Sequence, residues 1–220
     1  MVMEKNMRYL IVCGGKIEKE FACDVIRTAG IDVIIAADSG MDFLYQNDIT
    51  PDIIAGDFDS TRTKALEYYE EKGQTEIYRL NPVKDDTDTE FAIRLAIEGG
   101  ASQIILLGAT GSRLDHVMGN ISLLGIGLEK HIDIMVLDPN NRIRIIDRPY
   151  HIKKAGQYGR FVSLIPVSSD NEVSLTGFKY TLSNYKFDKF TSLGISNEIV
   201  DEEACIDIHK GQFILVESCD

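Results

Sequence analysis

The sequence predicts an α/β protein followed by a small all-β part, and three observations predict it. Apolar runs rich in Ile, Leu, Val and Ala recur from Arg8 to Leu137, with stretches of helical periodicity between them. That alternation indicates an open, mainly parallel sheet covered on both faces by helices. After Asp147-Arg148-Pro149 only short strand-like runs follow, separated by turn signals and without a convincing helix. Finally, polar segments follow directly on four of the apolar runs. This puts them at the carboxyl edge, where open α/β sheets bind ligands.

Arg8-Tyr9-Leu10-Ile11-Val12-Cys13 reads as the first strand and stops at Gly14-Gly15. A helix over residues 18–28 leads to a second strand, Asp32-Val33-Ile34-Ile35-Ala36-Ala37. A short helix over 42–46 precedes Ile53-Ile54-Ala55, an apolar run ended by Gly56, and residues 62–72 form the next helix. Glu76-Ile77-Tyr78-Arg79-Leu80 is a more polar strand. The helix over 89–98 places Phe91, Ala92, Leu95 and Ala96 on one face. Gln103-Ile104-Ile105-Leu106-Leu107 is the most apolar strand, followed by a helix over 114–128 and a last strand at 132–137. Beyond it, short strands are expected at 161–165, 172–175, 178–182, 204–209 and 212–216. The expected organisation is an α/β domain over 1–145 and an antiparallel β-sandwich over 150–220.

The bulk numbers narrow the function. A net charge of -12 argues against a nucleic-acid partner, which needs a basic surface. An anionic small molecule remains compatible when a metal and local cations offset the field. Cys13, Cys23, Cys205 and Cys219 show neither a C-x-x-C pair nor zinc-finger spacing, which suits reduced thiols in a cytoplasm. No apolar run is long enough to span a membrane, and the N-terminus lacks the apolar region of a signal peptide. A soluble, cytoplasmic protein is expected.

The chemistry centres on Gly56-Asp57-Phe58-Asp59-Ser60. In an extended chain, residues two apart share a side, so Asp57 and Asp59 converge while Phe58 turns into apolar packing. Two carboxylates so close repel unless a proton or cation lies between them, and a hard cation such as Mg2+ takes oxygen ligands. A solvated acidic turn with a serine cap is the plain alternative. Asp38 ends the second strand. In Lys84-Asp85-Asp86-Thr87-Asp88, Thr87 and Glu90 fit a capping box, which accounts for those two and leaves Lys84, Asp85 and Asp86 without a capping role. Asp88 lies in the first helical turn, where the helix dipole favours a carboxylate. Gly108-Ala109-Thr110-Gly111-Ser112 is a glycine-rich turn suited to presenting N–H groups to phosphate, without the Gly-Lys-Ser/Thr ending of a P-loop. Arg113 suits bidentate phosphate contact. Asp115 reads equally as an N-cap, and His116 as a core histidine.

In combination, Asp38-Ser39-Gly40, Pro51-Asp52, Gly56 to Ser60, Lys84 to Asp88 and Gly111-Ser112-Arg113-Leu114-Asp115-His116 resemble the bacterial type of thiamine pyrophosphokinase. Gly177-Phe178-Lys179-Tyr180 and Gly194-Ile195-Ser196-Asn197 are similar to that family's thiamine-binding domain, so the resemblance covers nearly the whole chain. It implies transfer of a diphosphate group from ATP to the hydroxyl of thiamine, giving thiamine diphosphate and AMP, with Mg2+. It also implies a homodimer with shared active sites. Asp57, Asp59 and Asp88 match the magnesium-binding acids, and Lys84, Thr87, Arg113 and Asp115 match positions near ATP and the transferred phosphates. Asp38, Tyr180, Ser196 and Asn197 match positions around thiamine. Many relatives carry tryptophan where this chain has Tyr180, and the sequence contains no tryptophan. A tyrosine face still suits a cationic thiazolium, while an inward-facing strand residue is the alternative.

Phosphoryl-type transfer needs in-line positioning and neutralisation of charge rather than covalent chemistry by the protein. The aspartates supply the metal site, and Arg113 and Lys84 the cations for the transferred and leaving groups. An aspartate of the cluster is one candidate base for the thiamine hydroxyl, and no dedicated base is the other. Three further readings stand beside this one: a diphosphokinase for another hydroxyalkyl heterocycle such as a hydroxymethylpterin, a non-catalytic nucleotide or thiamine diphosphate sensor, and a metal-dependent phosphohydrolase.

Overall fold

The computed structural model describes residues 6–58, 64–81 and 86–220. Two compact units form, Met1–Leu123 with Ile132–Asp138, and Leu124–His131 with Pro139–Asp220. The first runs β1 (Met7–Val12), α1 (Lys19–Thr28), β2 (Val33–Ala37), α2 (Gly40–Gln46), β3 (Ile53–Gly56), α3 (Lys64–Lys72), β4 (Glu76–Arg79), α4 (Asp88–Glu98), β5 (Ala101–Leu107) and α5 (Leu114–Leu123). Next in the chain is α6 (Gly125–Lys130), which belongs to the second unit, and then β6 (Asp133–Leu137), which completes the first.

All pairings in the first unit's sheet are parallel, in the order β6-β5-β1-β2-β3-β4. The chain winds outward from β1 to β4, then returns to the other side of β1 with β5. The reversal of winding therefore lies between β1 and β5. The apolar runs are what this arrangement needs: Leu10, Ile11, Val12, Ile35, Ile54, Ile104 and Leu106 are wholly buried. One core joins Val12, Ala36, Ile54 and Leu107 to Val25 of α1, Leu44 of α2 and Tyr69 of α3. The other face carries α4, which packs on β1, β2, β3 and β5 through buried Ala92, Ile93 and Ala96.

Two aspartates extend the ladder at the amino edge. The Asp32 carboxylate accepts from Arg8 N–H at 2.9 Å while Asp32 N–H donates to the Arg8 carbonyl at 2.9 Å. Asp52 repeats the device on Ile34, at 2.7 and 2.9 Å. The Pro51-Asp52 motif thus has a structural role, closing the start of β2.

The second unit contains β7 (Asn141–Ile146), β8 (Tyr150–Lys153), a 3-10 turn at Lys154–Gly156, β9 (Phe161–Pro166), β10 (Asn171–Thr176), β11 (Leu182–Phe187), β12 (Asn197–Glu198), β13 (Glu203–Lys210) and β14 (Phe213–Ser218). Antiparallel β7-β14-β9-β12 and β11-β10-β13-β8 are its two sheets. Their inward residues form one core, with Val162, Leu164, Phe213 and Leu215 from the first sheet and Val173, Leu175, Phe187 and Ile206 from the second. Phe187 and Phe213 meet edge to face with ring centroids 5.6 Å apart.

Three expectations need correction. The single helix over 114–128 is two, α5 and α6, separated at Leu124. The strand over 178–182 is absent: Phe178 makes only an isolated bridge to Ile199, and β11 begins at Leu182. The reason is local, because the Asn197 side chain takes both the N–H (3.0 Å) and the carbonyl (2.7 Å) of Tyr180 in place of a ladder partner. And β7 and β8, not anticipated, flank the Asp147-Arg148-Pro149 segment. Among the described residues no helix is long and apolar enough to cross a membrane.

Candidate active site

The predicted site residues of the first unit follow the carboxyl ends of its strands. β1 leads into Gly14 and Gly15, where side chains would collide with Ser39 Oγ and with the carbonyls of Gly108 and Thr110. The two bare backbones permit Gly15 N–H to donate to the Gly108 carbonyl and Lys16 N–H to that of Thr110, each at 2.8 Å. The loops after β1 and β5 are thereby joined at the reversal of the sheet.

Asp38 follows β2 with φ +50°, a left-handed conformation in which an aspartate is among the better tolerated residues. Its N–H donates to the Ala55 carbonyl at 2.9 Å. Since Ala37 is in register with Ala55, Asp38 stands opposite Gly56, one residue before Asp57. Gly56 permits the approach, for a side chain there would meet the Phe58 ring. Phe58 packs against the core beneath, as the sequence suggests, but with φ +45°. The extended geometry used to converge Asp57 and Asp59 therefore ends before Phe58. Asp59 and Lys84 lie outside the described residues. Asp57 is half-buried and has no hydrogen-bond or ion-pair partner among the described residues.

Thr87 is the N-cap of α4, its hydroxyl accepting from Glu90 N–H at 3.2 Å, so Asp88 opens the helix. Glu90 turns its carboxylate to Arg94 at 2.6 Å, and Arg94 Nε lies 3.3 Å from Asp86. That ion pair gives Asp86 a role which capping alone does not. The Thr89 hydroxyl reaches Cys13 Sγ at 3.7 Å, tying the start of α4 to the end of β1. Burial pushes the Cys13 thiol up to about 12, so it is no nucleophile.

After β5, Gly108 takes φ +66° where a side chain would strike the Cys13 carbonyl. Thr110 Oγ1 donates to Asp138 at 2.9 Å, and Asn120 Nδ2 to the Ala109 carbonyl at 2.8 Å. Arg113 grips Asp115 with Nε at 3.2 Å and Nη2 at 2.6 Å, both side chains largely exposed. Arg113, helped by the N–H of His116 at 3.0 Å, holds the Asp115 carboxyl down at about 2. Asp115 lies inside α5 rather than at its N-cap, and His116 is exposed rather than in the core.

The chemistry of the donor set fits an oxygen-liganded cation. Asp38 and Asp57 follow neighbouring strands, and Asp57 lacks any protein cation among the described residues. Those residues include no group of three or more acids, histidines or cysteines close enough to hold a metal. Of the three acids predicted to hold the metal, Asp57 and Asp88 are described and Asp59 lies outside the described residues.

In the second unit, Tyr180 is exposed, whereas Asn197 is buried. Asn197 Oδ1 accepts from Tyr180 N–H and from Glu198 N–H at 2.9 Å, which commits the side chain to the backbone. Ser196, at φ +59°, donates its N–H to Ser163 Oγ at 3.0 Å. Glu198 carries Arg160 at 2.9 Å and Lys179 at 3.0 Å, and these cations hold its carboxyl below the usual range. Beside them is a mainly apolar cavity of about 300 Å3 lined by Leu164, Phe178, Tyr180, Leu182, Leu193 and Asn197. Gly14, Gly15, Asn120 and Asp138 escaped sequence reasoning. Only the double glycine left a trace there, as a strand terminator.

Comparison with known proteins finds similarity along most of the chain. Residues 28–136 match the family model described as thiamin pyrophosphokinase, catalytic domain, and residues 149–213 the thiamin pyrophosphokinase, vitamin B1 binding domain. The chain is 34% identical to thiamine pyrophosphokinase of Bacillus subtilis over 84% of its own length and 87% of the relative's. The crystal structure of the Bacillus subtilis protein superposes with a TM-score of 0.86 at 32% identity, covering 97% of this chain and 99% of that one. The thiamin pyrophosphokinase structure from Geobacillus thermodenitrificans gives 0.84 at 29% identity, covering 97% and 98%. With two family models along its length and a relative matched nearly end to end, the chain belongs to the thiamine pyrophosphokinase family.

Proposed function

We propose that the first unit binds Mg2+ and ATP, that the second receives thiamine, and that the diphosphate of ATP passes to the thiamine hydroxyl with release of AMP. The observation that carries the reading is the placement of Asp38 and Asp57 after adjacent strand ends, with Asp57 unpaired among the described residues, in a chain of this family. Asp57, Asp59 and Asp88 are the residues to hold the metal. When bound, a magnesium ion neutralises phosphate charge and polarises the phosphorus under attack. Thr87 and the glycine loop orient the nucleotide, and Lys84 balances charge on the transferred group.

Arg113 is stored against Asp115 and exchanges that carboxylate for phosphate oxygens, a bidentate contact of the same geometry. Tyr180 offers an exposed face to the cationic ring, held in place by Asn197 through its own N–H and carbonyl. Asn197 and Ser196 therefore act on thiamine through the shape of the loop.

The same reading includes a homodimer whose sites are shared between subunits. No residue of α5 is buried, and Leu114 and Met118 are 72% and 69% exposed, a face that a second copy would cover. The four cysteines are free, which fits a reducing cytoplasm.

The test is an assay for AMP with ATP and Mg2+, with and without thiamine. Thiamine-dependent AMP is expected. AMP formed only with a hydroxymethylpterin would move the acceptor, and phosphate released without any acceptor would favour a phosphohydrolase. Absence of AMP with every acceptor would overturn the reading in favour of a sensor.

A further inference from the structure

We propose that Asn120 is a positioning residue of the nucleotide site, holding the Ala109 carbonyl so that the amides of the glycine loop stay free for phosphate. The inference rests on the assignment of that loop to ATP.

Three successive carbonyls of the loop are taken by protein donors. Gly15 N–H holds that of Gly108, Asn120 Nδ2 that of Ala109 and Lys16 N–H that of Thr110, each at 2.8 Å. In a trans peptide the carbonyl of one residue and the N–H of the next point in opposite directions. The N–H groups of Ala109, Thr110 and Gly111 therefore face away from the groups that hold those carbonyls. None of the three donates a hydrogen bond among the described residues. With its acceptors used and its donors unused, the loop presents dipoles of one sign, a nest for anionic oxygens.

Two of the three ties are backbone contacts that follow from glycine at positions 14, 15 and 108. The third depends on one side chain. Asn120 reaches back from the second turn of α5 over 11 residues, and Ala109 is 3% exposed, so water has little access to replace the lost donor. Thr110 adds a fourth tie through its hydroxyl to Asp138, at the end of β6. An acidic residue at 120 would set acceptor against acceptor and turn the Ala109–Thr110 peptide.

The experiment compares the wild-type protein with Asn120→Asp and Asn120→Gln. Binding of α,β-methylene-ATP with Mg2+ is read by calorimetry, the Michaelis constants for ATP and thiamine by the AMP assay, and stability by thermal melting. Asn120→Asp is expected to weaken binding of the analogue roughly 10-fold or more, the scale of one buried carbonyl left unpaired. It should raise KM for ATP in parallel and leave KM for thiamine within about twofold. Asn120→Gln, which keeps a carboxamide donor, should recover part of the loss. Wild-type affinity in Asn120→Asp, or equal rises in both Michaelis constants, would overturn the inference while leaving the nucleotide assignment intact. Failure of the wild type to bind the analogue would remove both. Should Asn120→Asp not fold, Asn120→Ser, whose side chain is too short to reach the Ala109 carbonyl, carries the test, with the same expected loss specific to the nucleotide.

Discussion

Asp57 and Asp115 are both carboxylates at the carboxyl edge of one sheet, yet their surroundings differ. Asp57 has no partner among the described residues, while Asp115 is gripped by Arg113. Asp57→Asn keeps the shape and removes the charge, so turnover should fall by at least about 100-fold, the scale of one lost group in electrostatic catalysis. The melting temperature should stay near that of the wild type, and near-normal turnover would remove Asp57 from the metal site. For Asp115 the sign follows from its lowered pKa. The pair's stabilising effect is complete above the ordinary carboxylate range and is lost as the pH falls through about 2. In Arg113→Gln the Asp115 carboxyl should titrate higher, toward the ordinary value, with the His116 N–H still holding it somewhat below, as read by carboxyl carbon shifts in NMR. An unmoved titration would mean that Arg113 is not its partner in solution.

At the scale of elements, parallel strands were easy to read because burial on both faces leaves uninterrupted apolar runs such as Ile104 to Leu107. The strands of the second unit were harder. β7 alternates arginine with isoleucine, and its charge is explained only across the sheet, where Arg142 is in register with Glu217. Glu217 is fully buried and accepts two hydrogen bonds from Arg142 at 2.7 Å and one from Tyr158 N–H at 3.1 Å. Removing one member strands the other charge inside the sandwich, so Glu217→Ala should destabilise the fold by about 3–5 kcal/mol. Urea unfolding followed by tryptophan-free probes such as far-UV dichroism measures it, and a loss under about 1 kcal/mol would contradict the burial. Thr87 sets the contrasting scale. As a single helix cap, Thr87→Ala should cost only about 1 kcal/mol.

For the molecule as a whole, the candidate site was legible as acids and glycines following apolar runs, because strand ends can be counted along a sequence. What holds those residues was not. Asn120 to Ala109, Thr110 to Asp138 and Asn197 to Tyr180 are contacts between distant positions, and no local pattern distinguishes such an asparagine from a solvated one. Assembly lies at the same limit: α5 has helical periodicity in the sequence, but only the fold reveals that the chain itself buries none of its residues. Leaving Leu114 and Met118 in water forfeits the stabilisation that burial of such side chains brings, roughly 1.5–3 kcal/mol each. A second copy would recover it. The protein should therefore elute with twice its 24.6 kDa mass in light scattering. Met118→Glu should shift it toward the monomer and lower turnover along with dimer content, while leaving far-UV dichroism unchanged. A wild-type protein that stays monomeric at high concentration and is still fully active would overturn the shared-site reading, and α5 would then need another partner.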